Sequence, residues 1–161
     1  MLKILKKEIK GITSDRYAIQ EAKYISEQEL YDFVSVERSP QGEYEASAVI
    51  QLYKRRFRVE MLISDRGELI STNIVSHSYY HHTLILAFCF LLNDLELENF
   101  PFEYQSMSYR NMIEQERKEK EARQRAIENK LLGFSQQLLN ESRQNIEAEI
   151  LNKIGAQTQD L

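Results

Sequence analysis

The chain has no tryptophan, one cysteine, two prolines and five glycines in 161 residues. Each scarcity excludes a class of chemistry. Cys89 alone leaves no intramolecular disulfide, and no cysteine-based four-ligand zinc site can form within one chain. That usage suits a reducing compartment, and a cytoplasmic protein is expected. The glycines are isolated, so phosphate-cradling loops, dinucleotide fingerprints and Gly-x-Ser-x-Gly elbows are missing, and no cofactor is expected. The longest apolar run, 84–92, falls far short of the roughly 20 residues that span a bilayer, so no membrane partner is expected. The first ten residues alternate Lys and Glu with Ile and Leu, unlike a signal peptide. A formal charge of -4 supplies no overall basic field for nucleic acid, although it leaves room for a local patch.

What is present is patterned. A segment before Gly11 is either a strand or a short amphipathic helix. Thr13 or Ser14 then caps a helix running to about residue 30, with Tyr17, Ala18, Ala22, Tyr24 and Ile25 on its inner side. From Tyr31 the period shortens to two. Phe33, Val34 and Val36 lead to the turn Ser39-Pro40-Gln41-Gly42. Tyr44, Ala46, Ala48, Ile50 and Leu52 then form one buried face, and Phe57, Val59, Met61 and Ile63 another. Asp65-Arg66-Gly67 signals a further hairpin before a strand over 68–74. Ser76 or Ser78 caps an almost wholly apolar helix over 79–93, which belongs at the centre of the core. Pro101 breaks the chain after it.

From about residue 106 the composition shifts. Glu114-Lys118, Glu116-Lys120, Glu119-Arg123 and Glu121-Arg125 are spaced four apart with the acid first, each worth about 0.2–0.5 kcal/mol of helix stability. No apolar residue lies between Glu114 and Glu121, so that stretch is solvated or bridges two packed regions. Apolar residues return at Ile127, Leu131, Leu132, Phe134, Leu138 and Leu139, then at Ile146, Ile150, Leu151 and Ile154. The fold class is therefore α+β. A four-stranded antiparallel meander is flanked by helices over 1–100, and 101–161 forms a long charged helix or helical hairpin.

Three clusters carry candidate chemistry. All three histidines, His77, His81 and His82, lie in one short run with Tyr79 and Tyr80. Imidazole is the commonest metal ligand, but a structural zinc takes four ligands and these would need help from elsewhere. The plainer reading is a histidine- and tyrosine-rich helix start; a small metal-dependent enzyme built on the cluster is a further alternative. Cys89 reads as a buried small hydrophobe without the cationic neighbour that makes a thiol reactive. Lys54, Arg55, Arg56 and Arg58 surround Phe57, a combination that can hold phosphate and stack a base, or that is simply a charged turn with an outward strand residue. Asp94, Glu96 and Glu98 read as solvated surface, and no catalytic pair emerges. Leu131, Leu138, Ile146 and Ile150 either fold back on the body or bind a partner.

Several runs fall in a family order: Ile12-Thr13-Ser14-Asp15-Arg16-Tyr17, Tyr44-Glu45-Ala46, Phe57-Arg58-Val59, Ile70-Ser71-Thr72-Asn73 and His81-His82-Thr83-Leu84-Ile85-Leu86-Ala87. From residue 12 to residue 93 the chain resembles the SWIM-type zinc-finger region of bacterial Swi/Snf-type helicases. The resemblance places Ser71, Asn73 and Tyr80 where that family has cysteines, and His82 at its histidine. It therefore implies a SWIM-like domain that has lost its zinc and binds DNA or protein beside an ATPase. No motor follows within these residues, so the chain is a piece of a longer protein or a free-standing relative. The competing expectation is an adaptor whose C-terminal helix recruits a protein partner or self-associates into a homo-oligomer.

Overall fold

The computed structural model describes residues 1–75 and 79–159, with side chains as far as 155. It is α+β, in the order α1 (Lys6–Ile12), α2 (Arg16–Glu27), β1 (Tyr31–Arg38), β2 (Tyr44–Leu52), β3 (Arg55–Ile63), β4 (Leu69–Ile74), α3 (His81–Leu95), β5 (Phe102–Gln105) and α4 (Met107–Gln159). The chain divides into two compact units, Met1–Asn111 and Met112–Leu161.

Within the first unit the strands make one antiparallel sheet in the order β4-β3-β2-β1-β5. The meander has its predicted four strands, and β5 adds a fifth by pairing with the outer edge of β1, Val36 against Phe102 and Val34 against Tyr104. This strand is only four residues long and follows Pro101, too short for its alternation to be read locally. It draws the boundary of the first unit past 100, because a strand bonded to β1 belongs to the sheet. The expected faces of β2 and β3 are buried: Tyr44, Ala46, Ala48, Ile50 and Leu52 join Phe57, Val59, Met61 and Ile63 in the core.

α3 supplies the centre of that core. Residues 83–89, 91 and 92 are all buried. A helix apolar nearly all round must be covered on several sides. Ile25 and Ala22 of α2 pack into the same cluster from outside the sheet, as do Leu2 and Ile4. The first residues are extended, and α1 begins only at Lys6. The Leu2 amide donates to the Leu97 carbonyl at 2.8 Å, and the Leu5 amide to the Gly67 carbonyl at 3.0 Å. Asn93 clasps Ile4 from both sides: its Oδ1 accepts from the Ile4 amide at 2.7 Å and its Nδ2 donates to the Ile4 carbonyl at 3.1 Å.

Local chemistry moved three helix ends from their predicted places. Asp15, not Thr13 or Ser14, caps α2 by accepting the Tyr17 amide at 2.9 Å. Thr13 instead accepts the Asp15 amide one step earlier. α2 stops at Glu27 because Glu29 turns left-handed, at φ 53°. α3 starts at His81 with Tyr80 at its N-cap position, two residues later than predicted. The cap assigned to Ser76 or Ser78 lies outside the described residues. Tyr17 and Tyr24, predicted to face inward, are 81% and 58% exposed; only Ala18, Ala22, Ile25 and Ser26 of α2 are buried. The spacing places them beside that stripe, where small residues reach the core and bulky rings do not.

The two left-handed glycines make a test of the N-terminal strap. Both have φ of 87°. A Cβ on Gly42 would meet nothing nearer than 3.9 Å, whereas on Gly67 it would strike the Lys3 carbonyl oxygen at 2.1 Å. Gly42→Ala should therefore cost only the left-handed penalty, about 1–2 kcal/mol. Gly67→Ala should cost at least about 2 kcal/mol more and free the strap, because backbone must move. Urea unfolding of the two variants checks the difference, and hydrogen exchange at the Leu2 and Leu5 amides checks its location.

Candidate functional site

The period of two dissects the basic run. Lys54 lies in the β2–β3 turn, while Arg55 shares the face of Phe57, its guanidinium 5.5 Å from that ring's centroid. Arg56 and Arg58 point to the opposite face, and each stands against a carboxylate. Arg58 lies 3.6 Å from Glu60. The Arg56 Nε donates to Asp32 Oδ2 at 2.7 Å. The four cations therefore do not form one patch. The open face they partly occupy also carries Glu37, Glu45 and Glu60 around a hollow of about 460 Å³ that includes Ser35, Ser47 and Asn73.

Asp32 is heavily engaged. Its side chain is 3% exposed. Besides Arg56 it accepts from Gln51 Nε2 at 2.8 Å and Ser106 Oγ at 2.9 Å, and its carbonyl accepts the Ser106 amide at 2.8 Å. Burial pushes its pKa up, but donation from Arg56, Gln51 and Ser106 outweighs burial and holds the carboxyl below its ordinary range. Three donors hold its two oxygens, so Asp32 is a clasp joining β1, β2, β3 and the residue before α4. A lowered native pKa means stability present above the unfolded value, about 3.9, and lost as pH falls through the native one. Asp32→Asn should cost about 1–3 kcal/mol at neutral pH, since the pairing guanidinium is part-exposed, and should flatten the acid limb of stability. Urea midpoints from pH 2 to 7 measure both.

Of the histidine run, His81 and His82 lie among the described residues, at the start of α3. His81 and His82 set their rings edge to face at 5.6 Å, and burial, then the neighbouring His82, lowers the pKa of His81. His77 lies outside the described residues. Among the described residues no three His, Cys, Asp or Glu side chains are grouped to hold a metal ion. The positions matched to the zinc ligands share hollows in pairs: Ser71 and Asn73 line the open-face one, Tyr80 and His82 one between α2 and α3, and Ser71 and His82 a third beside α1. A hydroxyl, an amide and a phenol beside one imidazole do not fit a zinc ion. Burial, and then Glu8, pushes the Cys89 thiol up to about 12, so it is inert.

α4 is one continuous helix through Gly133, not a hairpin. Its charged stretch is laced by Arg117 to Glu114 and Glu121, at 2.5 and 2.6 Å, and by Arg123 to Glu119 at 3.8 Å. Of the four predicted pairs, Glu119-Arg123 is among these. Leu131, Leu138, Ile146 and Ile150 are 61%, 50%, 56% and 52% exposed. Ile127, Leu131, Phe134 and Leu138 fall on one stripe. Leu132, Leu139, Ile146 and Ile150 fall on a second, about 100° around the helix at 3.6 residues per turn.

A tyrosine cluster escaped the sequence reading. Tyr53 and Lys54 form a two-residue turn, both with positive φ, 50° and 60°. Such turns favour Asn-Gly, and each non-glycine residue held there costs about 1–2 kcal/mol. The strained turn sets the Tyr53 ring 5.0 Å from that of Tyr80 and lets its hydroxyl donate to Glu21 Oε1 of α2. That bond, first, raises the Tyr53 pKa. Tyr17 and Tyr24 flank Glu21, four residues before it and three after. A tyrosine in a two-residue hairpin turn was the available signal.

No protein-family model, curated protein or solved structure matches the chain. Among the described residues no helix is long and apolar enough to cross a membrane.

Proposed function

We propose that this protein is a non-catalytic interaction module whose C-terminal helix assembles with other helices. The exposure of Leu131, Leu138, Ile146, Ile150 and their neighbours carries the proposal. Fully burying a side chain of this size gains about 1.5–3 kcal/mol, and here that gain is unclaimed. The width of the apolar surface sets the kind of assembly. Two stripes about 100° apart together exceed the narrow seam of a two-stranded coiled coil, so α4 needs more than one neighbouring helix. A bundle of three or more helices, from copies of this chain or from a partner protein, satisfies it.

The body in this proposal is a zinc-less SWIM-like domain acting beside an ATPase. Its support is the order of elements, a capped helix, an antiparallel meander and an apolar helix. The nucleic-acid half of that reading has less support than the protein half, because Arg56 and Arg58 are engaged by Asp32 and Glu60.

The helix should respond to concentration. In dilute solution the segment beyond Ile127 should lose helical circular dichroism, and raising the concentration or adding the partner should restore it with a defined mass of three or more helices. Leu131→Glu with Leu138→Glu should abolish that gain and leave the thermal melt of residues 1–111 unchanged. A protein monomeric at every concentration, with the double variant identical to it in helicity and partner capture, would sink the proposal. Sedimentation equilibrium and far-ultraviolet circular dichroism make the measurement.

A further inference from the structure

Four tyrosines of the first unit, Tyr17, Tyr24, Tyr53 and Tyr80, are exposed around the half-buried Glu21. Two hollows share this glutamate. One, about 240 Å³, lies by the first turns of α2 and α3 and is lined by Asp15, Tyr17, Glu21, Tyr80, His82 and Thr83 among others. The other, about 380 Å³, is lined mostly by apolar atoms of Tyr24, Ile25, Leu30, Leu52 and Tyr53, with Lys54 at it too.

We propose that this surface binds a protein partner through a lysine or arginine side chain seated between Tyr17 and Tyr80, with an adjoining apolar residue in the neighbouring hollow. It is independent of α4. Size is the first reason. Small-molecule and cofactor sites run from about 300 to 1,000 Å³, so the smaller hollow suits a single side chain. Charge is the second. Asp15 and Glu21 contribute two full negative charges, while two helix N-termini contribute about half a positive charge each. At the smaller hollow, whose described lining does not include Lys54, the sum stays near one negative charge, which favours a cation over an anion. Asp15 caps α2 and Glu21 receives the Tyr53 hydroxyl, but a carboxylate has about four lone-pair sites, so both can accept again.

The aromatic walls are the third reason. Tyrosine faces attract ammonium and guanidinium groups, and tyrosine and arginine are enriched at the centres of protein interfaces. The Tyr53 ring packs against the Tyr80 ring, and the turn that places it there is in a conformation tyrosine rarely adopts. A strained backbone persists only where its surroundings over-determine it, and such positions gather at ligand clamps.

The test uses the full chain and two dipeptides, acetyl-Leu-Arg-amide and its uncharged analogue acetyl-Leu-citrulline-amide, read by nuclear magnetic resonance of the tyrosine rings. The arginine probe should shift Tyr17 and Tyr80 saturably, with a Kd of about 1–10 mM, and the citrulline probe should bind about tenfold more weakly. Glu21→Gln should weaken the arginine probe about tenfold without changing the citrulline probe. Should that variant fail to fold, Tyr17→Ala, at an exposed ring outside the Tyr53 contact, serves instead, and loss of the arginine shift supports the proposal. Equal binding of the two probes overturns it. So do shifts that stay linear to about 50 mM, shifts centred on another face, or full retention of binding in the variants.

Discussion

The residues of α3 that point away from the sheet govern the first unit as firmly as those that point into it. A helix in which residues 83–89, 91 and 92 are all buried cannot be satisfied by a sheet alone. α2 brings Ala22 and Ile25 to it, and the extended N-terminus brings Leu2 and Ile4. The strap is held by backbone hydrogen bonds to Leu97 and Gly67 and by the two-sided clasp of Asn93. The absence of a side chain at Gly67 follows from that contact, because Lys3 occupies the space a Cβ would fill.

The second constraint is polar. Asp32 gathers Gln51, Arg56 and Ser106 from three separate stretches of chain. Burying a carboxylate is tolerable only when its oxygens are fully answered, and each donor here comes from a different element. The clasp also explains why a basic-looking hairpin is not a free phosphate patch. One arginine is committed to the fold and another stands near Glu60, while a two-residue repeat sends Arg55 to the other face.

The two proposed contact surfaces differ in physical kind. α4 offers a broad apolar arc with intrahelical ion pairs before it, the pattern of a helix awaiting helices. The surface around Glu21 offers rings and carboxylates, the pattern of a socket for a charged side chain.

The alternating runs in β2 and β3 and the apolar continuity of α3 were legible in the sequence, as was the helical character of the charged stretch of α4, because each is a local pattern; of the four expected ion pairs there, only Glu119-Arg123 is among those formed. The fifth strand was not, since four residues after a proline carry no readable period and became a strand only by finding the edge of β1. Tyr17 and Tyr24 were placed on the wrong side of α2, because hydrophobic spacing does not reveal that small alanines occupy the closest approach to the core. The engagement of Arg56 by Asp32, and the gathering of Tyr53, Tyr80 and Glu21, join residues at least 24 positions apart. The sequence determined the character of the strongly periodic segments and which faces of β2, β3 and α3 seek burial. Only the tertiary structure decided which polar groups answer one another, because that depends on distances the chain closes when it folds.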